Sequence, residues 1–179
     1  MSEQQLRTIV LGGGCFWGSE AVFQRVPGVV SVVSGYTGGR IESPTHEQVV
    51  SGISGHVQVI TVEYNEAQIT LPQLLDTFFL LHNPTTLNRQ GSDVGPQYRS
   101  AVYFVNSSEQ EEVALAVARA QEEHNHPLVT EVRELGIFYK AEEEHQNYYN
   151  KNIESSYSTI IIGPKLVKLK KVLEKQSLN

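Results

Sequence analysis

Cys15, the only cysteine of the chain, stands in GGGCFWG between three glycines and two adjacent aromatics. A β-branched run, Arg7 to Leu11, leads into the glycines. Cys15 to Val26 then reads as a helix, with Phe16, Ser19, Val22, Phe23 and Val26 at three- and four-residue steps and Pro27-Gly28 as its stop. A thiol that opens a helix meets unpaired backbone N–H groups and the positive end of the helix dipole, both of which favour thiolate. The glycines let backbone and substrate approach closely, and Phe16 and Trp17 are placed to wall an apolar pocket. These residue types in this order suit a nucleophile. A lone cysteine is otherwise a small buried hydrophobe, and it is the strand-to-helix turn that favours reactivity here.

Further elements must hold that turn. Val29 to Val33, Val57 to Val62, Ser100 to Val105 and Val129 to Leu135 read as strands, and Leu71 to Leu81 as a helix with Pro72 in its first turn. Ser108 to Glu123 reads as a second helix, opened by a capping box of Ser108 and Glu111, with Val113, Leu115, Ala116 and Val117 on its apolar face. AEEEHQNYYNKN is a polar helix with Tyr148 and Tyr149 turned inward. GYTGGRIESPT and HNPTTLNRQGSDVGPQY are loops, and the length of the second marks it as functional. Short strands alternating with helices predict an α+β two-layer sandwich, helices covering a mixed sheet, rather than an eight-fold barrel.

The 179 residues suffice for one catalytic domain, 1–179, with residues 155–179 as a C-terminal tail docked on the body. In that tail, GPKLVKLKKVLEK, Leu166, Leu169 and Leu173 share one helical face. A net charge of -6 argues against nucleic acid as a partner, and no apolar window approaches a membrane span. The expectation is a soluble, cytoplasmic monomer. One cysteine closes no internal disulfide. His124, His126 and His145 lack a metal-ligand spacing, and the glycine run lacks the features of a nucleotide loop, so neither a metal nor a bound cofactor is expected. His56 and His82 read as loop anchors.

GCFWG (Gly14 to Gly18) resembles the signature of the A-type peptide methionine sulfoxide reductases. GYTGG (Gly35 to Gly39), SGxxGH (Ser51 to His56), LNRQGxDxGxQYRS (Leu87 to Ser100) and HQNYY (His145 to Tyr149) agree with that family in order. The likeness runs from about Thr8 to Asn150 and thins beyond Ser155. It implies a ferredoxin-like α+β fold and reduction of the S epimer of methionine sulfoxide, free or in oxidised proteins. Cys15 then falls on the nucleophile, Phe16 and Trp17 on the methyl-binding aromatics, Tyr98 on one of two oxygen-holding tyrosines, and Asp93 on an aspartate near the site. Many relatives carry a resolving cysteine close to where Ser158 stands. The resemblance thus implies that an external thiol regenerates Cys15: thioredoxin, glutathione with glutaredoxin, or a small dithiol.

Two positions depart from the family. Its acidic glutamate is Gln58 here, in GHVQ, and its other tyrosine is His46, in SPTHEQ. A glutamine amide donates a hydrogen bond but delivers no proton at neutral pH. His46, with an ordinary pKa near ~6.5, is the replacement acid the sequence offers. The alternative is a module that binds methionine sulfoxide, or senses oxidants, with little turnover. A thiol peroxidase is disfavoured because nothing resembles its Thr-Pro-Cys setting.

Overall fold

The computed structural model describes residues 5–177. In chain order the elements are β1 (Leu6–Gly12), α1 (Phe16–Phe23), β2 (Val29–Thr37), α2 (His46–Val50), β3 (Val57–Asn65), α3 (Leu71–Leu81), β4 (Arg89–Gln90) and β5 (Asp93–Val94). There follow β6 (Ala101–Phe104), α4 (Gln110–Glu122), β7 (Glu131–Glu134), β8 (Tyr139–Lys140), α5 (Tyr148–Lys151) and α6 (Gly163–Ser177). Six strands form one sheet in the order β7-β6-β1-β3-β2-β8, and β4 pairs with β5 as a separate hairpin. The β6–β7 pair is parallel and the other pairs are antiparallel. The inner four strands with α1 and α3 make a βαββαβ unit, the ferredoxin-like arrangement, so the expected α+β sandwich is the observed one.

Strand alternation divides the core. On β1, Ile9 and Leu11 face the helices while Val10 faces away. On β3, Ile60, Val62 and Tyr64 face the helices, while Val57 and Val59 join Val10, Ala101 and Tyr103 on the other side. Gln58 shares the parity of Ile60 and Val62, and this turns its amide toward the start of α1.

Local rules explain most boundaries and also the departures. Thr70 closes a capping box with Gln73 at the start of α3. The loop containing His46 holds a short helix, α2, that the glycine and proline punctuation conceals; Thr45 caps it with Gln48. The second long helix is capped two residues earlier than Ser108. Asn106 and Glu109 form the box over a 3-10 turn, because the Asn106 amide oxygen takes the Ser108 N–H. Its buried face is Val113, Ala116 and Ala120, and Leu115 is 54% exposed.

Helix α1 ends at Phe23, short of Val26, and is buried on nearly every side, Glu20 included, so its spacing marks no single apolar face. AEEEHQNYYNKN is broken by Asn147 at φ 54, a left-handed residue that separates a 3-10 turn over Glu143–His145 from α5. Leu169 is buried and Leu166 and Leu173 are partly buried, which seats α6 on the body.

Candidate active site

Gly14, at φ +92, makes the turn between β1 and α1, a conformation that side-chain-bearing residues rarely adopt. Cys15 follows as the N-cap residue of α1. Its thiol is nearly sealed, with the residue 6% exposed. Burial dominates and pushes the thiol up to about 12, although the Trp17 backbone N–H, the Tyr157 hydroxyl and the Lys165 ammonium pull the other way. The helix start therefore does not by itself yield a resting thiolate, a correction to the expectation from sequence. Desolvation of a fully enclosed sulfur outweighs a dipole whose reach is one turn.

Several of the residues singled out in the sequence lie around this turn. Gln58 accepts the Phe16 backbone N–H on Oε1 at 3.2 Å, which leaves its Nε2 buried and without a partner among the described residues. A buried amide donor left open in this way costs free energy unless a ligand fills it. Asp93 accepts the Tyr157 hydroxyl at 2.8 Å, and that hydroxyl also faces Cys15. Tyr98 is half-buried, and burial followed by the Cys15 charge raises its pKa, so it remains a hydroxyl donor. Phe16 is fully buried, whereas Trp17 is only partly covered.

His46 opens α2, with its backbone N–H given to Glu142 Oε2 at 3.1 Å. Its ring stacks on His145 at 4.0 Å between centroids and lies 6.3 Å from the Trp17 ring. Burial first, and then the neighbouring His145, lower its pKa below the ordinary histidine value. This corrects the unperturbed value assumed from sequence. Burial pushes Glu142 up, but the backbone N–H groups of Glu142 and His46 and the Tyr36 hydroxyl more than reverse this, and it remains a carboxylate.

Tyr157 and Glu20 had no signal in the sequence pattern, and His145 and Tyr148 stood there as part of the HQNYY motif, without a role at the site. Tyr157 lies where the family likeness thins. His145 accepts the Trp17 indole N–H on Nδ1 at 3.1 Å and so fixes the ring, while Tyr148 stacks flat on Trp17 at 3.7 Å. Glu20, inside α1, accepts the Ser34 hydroxyl at 3.1 Å and thereby ties that helix to β2. Glu142, Glu144 and His145 place ligand-type atoms within 4.8 Å of one another. With Nδ1 occupied by the indole, the neutral His145 ring carries its hydrogen on Nε2, the atom facing the two carboxylates, and has no lone pair to give a metal there.

His56 and His82 anchor loops as the sequence reading expects. His56 accepts the Gly39 N–H at 3.0 Å and donates to the Ile41 carbonyl at 2.7 Å. His82 bridges the Phe78 carbonyl and Ser100 Oγ, each at 2.7 Å.

The model of the peptide methionine sulfoxide reductase family matches residues 7–177. The chain belongs to that family. Among its relatives, this reductase is 49% identical over 166 residues to the peptide methionine sulfoxide reductase MsrA of Paenarthrobacter aurescens, covering 93% of this chain and 95% of that one. In shape the reductase is similar to Mxr1 from Saccharomyces cerevisiae in its reduced form, with a TM-score of 0.80 at 33% identity, covering 84% of this chain and 87% of that one. It is also similar to Mxr1 in complex with Trx2, with a TM-score of 0.58 at 26% identity over 80% of this chain and 84% of that one. Among the described residues of the reductase, no helix is long and apolar enough to cross a membrane.

The contact between Gln58 and the first residue of α1 yields a direct expectation. In Gln58→Glu a buried carboxylate stands beside the turn that holds Cys15 and opposes the thiolate. Alkylation of Cys15 by iodoacetamide at pH ~9 is expected to slow by about tenfold, one pKa unit. An unchanged rate would show that position 58 does not act on the sulfur.

Proposed function

We propose that residues 1–179 work as one catalytic domain that reduces the S epimer of methionine sulfoxide, free or in oxidised proteins, with Cys15 as nucleophile. The observation that supports this reading is the buried, open Gln58 Nε2, held beside the Cys15 turn by the Phe16 N–H, with the Tyr157 hydroxyl on the sulfur. Trp17 takes the methyl group of the substrate on its exposed side, and Phe16 backs the pocket. The sulfoxide oxygen is held by Gln58 Nε2 and the Tyr98 hydroxyl, fixed donors placed where negative charge grows.

The Cys15 sulfur attacks the sulfoxide sulfur while the oxygen gains a proton, and the oxygen then passes to Cys15. Methionine leaves and a sulfenic acid remains, so the thiol proton and the oxygen both finish on Cys15 and no net proton is consumed. Two equivalents of an external thiol return the sulfenic acid to the thiol, giving one disulfide and one water. A thioredoxin is the reductant best supported, because a related yeast reductase has been solved with one.

His46 relays the proton. Its depressed pKa means that the protonated ring is plentiful only below pH ~6.5, so kcat in the parent is expected to fall as pH rises through that range. His46→Phe is expected to lower kcat by about 10² and to remove that limb of the pH profile. A profile identical to the parent's would discard the relay.

A second reading, a methionine-sulfoxide-binding or oxidant-sensing module with little turnover, draws on the thiol pushed up to about 12 and on the missing carboxylic acid at position 58. Incubation with each methionine sulfoxide epimer and excess dithiothreitol separates the two. Many methionines formed per chain from the S epimer alone support the reductase, and fewer than one per chain supports the module.

A further inference from the structure

Lys165 is a half-buried side chain beside the site that none of these steps uses. Helix α6 carries it against the first turn of α1, where its ammonium lies 3.4 Å from the position a Cβ would take on Gly18 and 3.9 Å from that on Gly14, the two sides of Cys15. Its stem lines a small cavity with Gly13, Phe78 and His82. Among the described residues it closes no salt bridge.

Two physical terms oppose a cation there. Burial strips water from the ammonium, and the start of α1 is the positive end of a helix. Both costs are removed if an anion forms at the same place. The charged and titratable groups around the ammonium are few. His82, at the end of α3, is pushed down to about 4 by burial and is neutral at working pH. Lys168, on the same helix, and His124, after α4, contribute no negative charge. Asp93 from the β4–β5 hairpin, which accepts the Tyr157 hydroxyl, is one group of opposite sign that acts on the ammonium. The Cys15 sulfur, once ionised, is the other.

We propose that Lys165 is the positioning cation for the Cys15 thiolate, a counter-ion supplied by the C-terminal helix. This rests on the reading of Cys15 as nucleophile. It gives α6 a part in the site beyond covering the core. The pair is latent: with the thiol pushed up to about 12 in the resting protein, the ammonium gains the sulfur as a partner only when substrate draws the thiol proton away.

The test is the pH dependence of Cys15 alkylation by iodoacetamide in the full chain, which needs no turnover. Lys165→Met keeps the length and apolar packing of the stem and removes the charge, and Lys165→Gln is the second variant. Both are expected to alkylate about tenfold more slowly than the parent at pH ~8, one unit of thiol pKa. Lys168→Met, on the same helix, is expected to match the parent. Thermal melting of Lys165→Met is expected at or above the parent's, since a partly desolvated ammonium that closes no salt bridge is replaced by a thioether. Unchanged alkylation in both folded Lys165 variants overturns the proposal, and so does an equal slowing in Lys168→Met. If instead Cys15→Ser kept its reductase activity, the nucleophile assignment would fail while the alkylation result stood separately.

Discussion

Cys15→Ser is expected to lower turnover of methionine sulfoxide by on the order of 10⁴ or more, the scale on which loss of a covalent nucleophile is felt. A serine hydroxyl is far less acidic than a thiol, and an oxygen that accepted the sulfoxide oxygen would become a hydroperoxide, a product no thiolate chemistry resembles. The substitution is nearly isosteric, and the Trp17 backbone N–H and the Tyr157 hydroxyl that face the sulfur remain to partner the serine oxygen. The fold should therefore survive, with melting close to the parent's. Methionine release in dithiothreitol, measured beside a thermal melt, separates lost chemistry from lost structure. Turnover within tenfold of the parent would place the nucleophile elsewhere.

Gln58→Leu is expected to cut kcat by about 10² to 10³, the usual loss when one fixed donor to a developing oxyanion is removed. The effect should fall on kcat more than on KM, because the amide is worth most when the oxygen carries charge. A second consequence follows from the other end of the same side chain. The Phe16 N–H, which Gln58 Oε1 accepts at 3.2 Å, is left buried and unpaired at a cost of about 1–3 kcal/mol. Steady-state kinetics with the S epimer and a denaturant melt read the two losses separately. A leucine variant with kcat within a factor of about three of the parent's would contradict Gln58 as the oxygen's donor.

The parts of the fold legible in the sequence are those governed by local rules. Leu71 to Leu81 is a helix at those limits because Thr70 and Gln73 close a box around Pro72, and the central strands follow from β-branched runs ended by glycines. Helix α2 escaped because it spans five residues in a stretch rich in turn formers, too short for periodicity to register. In α1 the three- and four-residue spacing suggested one buried face, yet sheet, α5 and α6 surround the helix, and no single-strand pattern reports that.

The site divides in the same way. Cys15, Gln58, Asp93 and Tyr98 lie near one another because turn chemistry and strand parity place them. The roles of Tyr157, His145 and Lys165 depend on how distant segments pack against α1, and nothing in their local sequence encodes it. The sign of the Cys15 pKa belongs with these. Helix position, readable in sequence, favours thiolate, while the depth of burial, readable only in the fold, dominates.

The most direct measurement omits the reductant. The protein is mixed with an excess of S-methionine sulfoxide and no thiol, methionine is quantified, and the Cys15 peptide is analysed by mass spectrometry after trapping with dimedone, a reagent for sulfenic acids. The expected result is one methionine per chain, with Cys15 carrying the trap and Cys15→Ser yielding neither product. Methionine formed while Cys15 stays unmodified, or methionine formed by the serine variant, would contradict transfer of the oxygen to this sulfur.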